Sequence, residues 1–134
     1  MLFLLLACSL ERLATATPAT PTSSEPLLTI TGILQDYATY EDQLVRVRGY
    51  GVIEAMMPLC PGYVGMDTRM AFVDSAENNI NASLAGNTWE AMNSSVLRDF
   101  RGYVRVFNGE LGCPGSVGKA SFPYFEIIEV VEIE

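Results

Sequence analysis

Histidine is missing from this chain, lysine and tryptophan occur once each, and cysteine three times. Each shortage closes off a class of function. Without histidine the commonest general base is gone, and no carboxylate pair can be assigned to a cleft, so the chain reads as non-catalytic. Eight basic residues against sixteen acidic ones leave a formal charge of −8, with an isoelectric point near 4.4. Nucleic-acid binding draws its affinity from clustered Lys and Arg that release counterions, so DNA and RNA are excluded as partners. The N-terminal apolar run, Leu2 to Ala7, falls far short of the roughly 20 residues that span a bilayer. What is present, 134 residues of which 49% are apolar, suffices for one domain with a core and not for two.

The first 26 residues divide from the rest by composition. Leu5-Leu6-Ala7-Cys8 resembles the bacterial lipobox, which makes residues 1–8 a signal and lipobox segment and Cys8 the lipidated anchor. Ala14-Thr15-Ala16 offers an A-x-A site for ordinary signal cleavage instead. Either processing exports the domain, as a membrane-anchored lipoprotein or a secreted protein. Residues 9–26, rich in Thr, Pro and Ser with Pro18, Pro21 and Pro26, form an extended linker. Residues 27–134 are the folded domain.

Ile30, Ile33, Leu34 and Tyr37 recur at helical spacing and predict a short helix with those four residues on its buried face. "QLVRVRGYGVIEA" alternates Val45 and Val47 against Arg46 and Arg48, a half-buried strand in which Gly49 and Gly51 permit a bulge or coil. "MAFVDSAENNINASL" reads as a hairpin turning around Ala76 to Asn79. "NTWEAMNSSVLRDFRG" reads as a helix capped by Asn87 and Glu90 and closed by Gly102, with Trp89, Met92, Val96, Leu97 and Phe100 on one face to plug the end of a barrel. "YVRVFNG" is a further strand. "YFEIIEVVEIE" spaces Glu126, Glu129 and Glu132 like a helix face, but its β-branched and aromatic density favours a strand with one bulge.

The order strand, loop, two-stranded hairpin, helix, strand, loop, strand is that of the oligonucleotide/oligosaccharide-binding (OB) fold. From Thr31 to Glu134 the chain resembles small exported bacterial OB-fold domains, with "VRVRGYG" as the coiled first strand and "PYFEIIEVVEI" as the closing one. The resemblance implies an all-β fold with one or two short helices: a five-stranded Greek-key barrel with a helix between strands 3 and 4.

Two loops share one skeleton, Cys60-Pro61-Gly62-Tyr63-Val64-Gly65 and Cys113-Pro114-Gly115-Ser116-Val117-Gly118. Proline fixes φ and the glycine after it takes the left-handed position of a type II turn. On the OB reading these loops flank the usual binding face, and in an oxidising compartment Cys60 and Cys113 are expected to join; free or metal-bound thiols are the other outcome. "CPGSVGKAS" imitates the end of a phosphate-binding loop, but Cys113 and Ala120 stand where that motif needs Gly and Ser or Thr. No cofactor is therefore expected.

Arg46, Arg48 and Arg105 should project outward from neighbouring strands, where they could hold an anionic group or pair with Glu126 and Glu132; cross-strand pairing is the more ordinary arrangement. Tyr63 and Phe107, with Tyr50 and Tyr103, offer stacking surface for a glycan or an envelope protein, or simply pack. The function expected is a non-catalytic binding or interaction module at the cell envelope. The alternative is a soft-metal site for Cu(I) formed by Met56, Met57 and Cys60, with Met66 and Met70 nearby. Periplasmic copper carriers with an OB barrel use methionines beside Trp and His; here histidine is absent and Trp89 falls in the expected helix.

Overall fold

The computed structural model describes residues 25–55, 60–66, 69–85 and 96–131. Along them run β1 (Leu27–Leu28), α1 (Ile30–Gln35), α2 (Tyr37–Tyr40), β2 (Leu44–Ala55), β3 (Arg69–Val73), β4 (Asn79–Leu84), β5 (Arg98–Leu111) and β6 (Gly118–Val131). The described residues are mostly β, with two short helices and one six-stranded sheet among them. Among the described residues no helix is long and apolar enough to cross a membrane.

Extended Thr29 caps α1, its hydroxyl accepting from the Gly32 amide at 3.0 Å. Ile30 and Ile33 are fully buried, but Leu34 and Tyr37 are exposed, contrary to the four-residue face the spacing predicts. The helix is six residues long and breaks at Asp36 (φ −145°, ψ 46°), so Tyr37 starts a separate turn with its own orientation.

In β2 the period of two holds: Val45 and Val47 are fully buried, and Gly49 and Gly51 continue the same face. A Cβ on Gly49 would overlap the Val73 carbonyl and the Phe72 ring, so this glycine serves a close approach. The irregularity in β2 lies further on, between Ile53 and Ala55.

Residues 44–49 of β2 pair antiparallel with β5, and residues 50–55 pair antiparallel with β3. β3 and β4 form a hairpin; β4 runs parallel to β6; β6 runs antiparallel to β5. The pairings close a ring, β2–β3–β4–β6–β5 and back to β2, and β1 adds a short parallel sixth strand on β2. The β3–β4 turn is held by Asp74, whose carboxylate accepts from the amides of Ala76 and Asn78 and from the Asn78 side chain.

The predicted helix over 87–102 is corrected at its C-terminal end. Arg98 to Gly102 belong to β5; of the described residues of the predicted face, Val96 and Leu97 are exposed and Phe100 is buried, as a strand residue. Asn87, Glu90, Trp89 and Met92 lie outside the described residues. Strand wins because this segment has a partner on each side, β2 against Arg98–Tyr103 and β6 against Asp99–Leu111, so its backbone groups enter two ladders. β6 is a strand with one irregularity: Arg101 pairs with Glu129 and Gly102 with Ile127, which leaves Ile128 without a residue opposite.

Phe72, Phe100 and Phe125 meet edge to face, Phe72 lying 5.0 Å from Phe100 and 5.5 Å from Phe125 between ring centroids. Ile30, Ile33, Val45, Val47, Met70 and Ile127 are among the residues that complete the core. Aromatic pairs of this kind add roughly 1 kcal/mol beyond the area they bury.

Candidate functional site

Both Cys-Pro-Gly loops form the turn that their residues dictate. The Tyr63 amide donates to the Cys60 carbonyl at 3.3 Å and the Ser116 amide to the Cys113 carbonyl at 2.9 Å, with Gly62 at φ 78° and Gly115 at φ 90°. Cys60 and Cys113 are disulfide-bonded, their Cα atoms 5.9 Å apart and 53 positions apart in sequence. Beside the disulfide, Val64 and Gly112 exchange two backbone hydrogen bonds, each 3.0 Å. A Cβ on Gly62 would come within 2.9 Å of Pro114, so the turns also pack directly on one another.

A cavity of about 240 Å³ opens beside the tied loops. Tyr63 and Met66 border it from the first loop, and Leu111, Ala120 and Phe122 from the β5–β6 hairpin. Met70 of β3 with Asn81 and Ala82 of β4 complete the lining. None of these residues carries a charge. Gly65, at φ 131°, lies beneath the Leu111 side chain and the Tyr63 hydroxyl; a Cβ there would overlap Leu111 and push into the cavity wall. The Tyr63 hydroxyl is buried with no hydrogen-bond partner among the described residues.

The hairpin's pleat explains why its outer face can line a cavity. Val104 and Phe125 point into the core, so Leu111, Ala120 and Phe122 take the opposite face. Phe107 is the cross-strand partner of Phe122 and stacks on it, centroids 5.1 Å apart. Phe107 therefore supports the wall and does not itself line the cavity.

The nominated arginines stand apart from this site. Arg48 forms a two-pronged pair with buried Asp99, at 2.6 and 3.2 Å. Arg105 donates to Glu126 (2.7 Å) and Asp42 (2.6 Å), and its guanidinium lies 4.5 Å from the Tyr103 ring centroid. The hydrogen bond to Asp99 raises the Arg48 pKa, and those to Glu126 and then Asp42 raise that of Arg105. Arg101, not nominated from sequence, binds Glu25 and Glu129, and the Glu25 hydrogen bond raises its pKa first. Arg46 is half-buried, and its Nε has no hydrogen-bond partner among the described residues. Glu132 lies outside the described residues.

Of the alternative metal ligands, Met56 and Met57 also lie outside the described residues, as does Cys8. Cys60, being half of a disulfide, has no thiolate to offer a metal in this form. Met66 and Met70 do reach the cavity. Sequence reasoning brought Tyr63, Cys60 and Cys113 to the site and did not nominate Asn81, Leu111, Ala120 or Phe122. Their signal was the outward face of the hairpin, which changes from charged at Arg101, Arg105, Glu126 and Glu129 to apolar at Phe107, Leu111, Ala120 and Phe122.

No protein-family model, curated protein sequence or solved structure matches this chain.

Proposed function

We propose that this chain is a non-catalytic binding module of the OB type that works outside the cytoplasm, lipid-anchored through Cys8 or secreted. The observation that carries the reading is the uncharged cavity bordered by the disulfide-tied loops. In an OB barrel β2 to β6 would be strands 1 to 5, and the loops holding Cys60 and Cys113 would be the pair flanking the binding face. The parallel β4–β6 pairing and the return of β5 to β2 support that assignment. The disulfide supports export, because cytosolic thiols are kept reduced. Among the described residues the lining offers one phenol and one amide beside apolar groups, and no residue suited to move a proton near neutral pH. Cu(I) held by methionines is the second reading, favoured by Met66 and Met70 in the same lining.

The test is an isotope-labelled, oxidised protein titrated with a panel of glycans, peptides and small aromatic compounds, followed by amide chemical shifts. Saturable changes at Tyr63, Leu111 and Phe122, with the compound recovered unaltered, are expected. Turnover of a panel member, or shifts that never reach these residues, would overturn the proposal. Peptide mass spectrometry on material from the native host, read for lipid on Cys8, tests the anchor.

A further inference from the structure

We infer that the cavity takes a small, neutral, flat aromatic molecule of about the size of indole, held by ring contacts and one hydrogen-bonded edge. The inference rests on the site proposed above and names its ligand class. Size sets the first limit. A cavity of about 150 Å³ lined by Leu, Ile and Phe holds benzene, so 240 Å³ suits a fused bicycle.

Charge sets the second. None of the described lining residues is ionised at neutral pH, so among them an anion finds no cation and a cation no carboxylate. Arg48, Arg101 and Arg105, which have carboxylate partners, are not among the residues that line it. A buried unpaired charge is expensive, which excludes both kinds of ion.

Polar capacity sets the third. A sugar ring brings several hydroxyl groups, and the lining has two side chains among the described residues able to answer them. One, the Tyr63 hydroxyl, is already buried over Gly65. The other, the Asn81 amide, belongs to an exposed residue and makes no hydrogen bond among the described residues, so it is free to donate or accept along one ligand edge. The remaining surface suits a ring: the aromatic side chains of Tyr63 and Phe122, with the thioethers of Met66 and Met70, whose sulfurs make favourable contacts to aromatic edges.

The experiment titrates indole, and separately indole-3-acetate, N-acetylglucosamine and Cu(I), into the oxidised full chain by calorimetry and amide chemical shifts. Indole should bind saturably, moving Tyr63, Asn81, Leu111 and Phe122, at least tenfold more tightly than indole-3-acetate. Ala120→Leu, which fills the cavity from the hairpin's outer face, should weaken indole more than tenfold. Asn81→Leu, at an exposed strand position, should weaken it about fivefold, the equivalent of one hydrogen bond. Shift dispersion of each variant establishes that it is folded. Indole binding that ignores both substitutions would overturn the inference, as would tighter binding of Cu(I) or the sugar at these residues. In those last two cases the site survives and only its ligand class falls; if no compound in this set or the wider panel moves these residues, the site proposal falls with it.

Discussion

Replacing both Cys60 and Cys113 by alanine tests how the two loops are held. The bridge closes a loop of 53 residues, and the chain-entropy relation for that length gives about 4 kcal/mol at 25 °C. Both cysteines are only half-buried, so little packing is lost with the sulfurs, and the effect should come through the unfolded chain. The native loops keep other ties: the two Val64–Gly112 hydrogen bonds and the contact of Gly62 with Pro114. The variant should therefore fold with its loop amides nearly unshifted, unfold at a lower urea midpoint, and show a larger m-value because its denatured state is freer to expand. The melting temperature should fall by roughly 15 to 20 °C for a domain of this size. A loss below about 1 kcal/mol would refute the entropic account. So would collapse of the shifts at Tyr63, Val64, Gly112 and Ser116, since the disulfide would then be shaping the native loops rather than restricting the unfolded chain.

Tyr63→Phe removes a buried hydroxyl that has no hydrogen-bond partner among the described residues and should stabilise the protein by about 1 kcal/mol; a lower urea midpoint would contradict it. Gly102→Ala places a Cβ onto the Glu126 carbonyl and the Phe125 ring and should cost about 3 kcal/mol or abolish folding, as measured by thermal unfolding. Burial first, then the charge of Glu126, raises the Tyr124 phenol above its ordinary value of 10.0. Below that pH folded and unfolded chains both keep the proton; above it the unfolded chain releases it first, so stability falls until the folded phenol also ionises. Tyr124→Phe should remove this part of the alkaline loss in urea titrations across the window, and an unchanged slope would contradict it.

The elements most legible in the sequence were those whose pattern has a single physical cause. In β2, Val45 and Val47 alternate with Arg46 and Arg48 because one face meets the core, and a period of two says so without further information. The glutamates near the C-terminus were ambiguous for an equally definite reason. Glu126 and Glu129 stand three apart because the irregularity at Ile128 shifts β6 by one residue, so both remain outside while Phe125 and Ile127 point in. A bulge in a strand thus imitates a helix turn. At Val96 to Gly102 the local pattern misled outright, since it contains nothing of the two neighbours, β2 and β6, that draw the segment into β5.

The same division runs through the site. Turn chemistry is local, so Pro-Gly after each cysteine fixed the conformation of both loops in advance. Arginine partners are not local: Arg48 meets Asp99 across 51 residues and Arg105 meets Asp42 across 63, and neither acid was nominated. Pairing with carboxylates takes the Arg48 and Arg105 guanidiniums out of the pool of free anion sites, and the candidate cavity has an uncharged described lining. That surface exists because a loop of Tyr63 and Met66 comes to lie beside the apolar end of a hairpin whose other end is charged. Small residues at Ala82 and Ala120 keep the space between them open. A candidate site made this way depends less on any one motif than on two tied loops and one strand pair that alters its outward chemistry along its length.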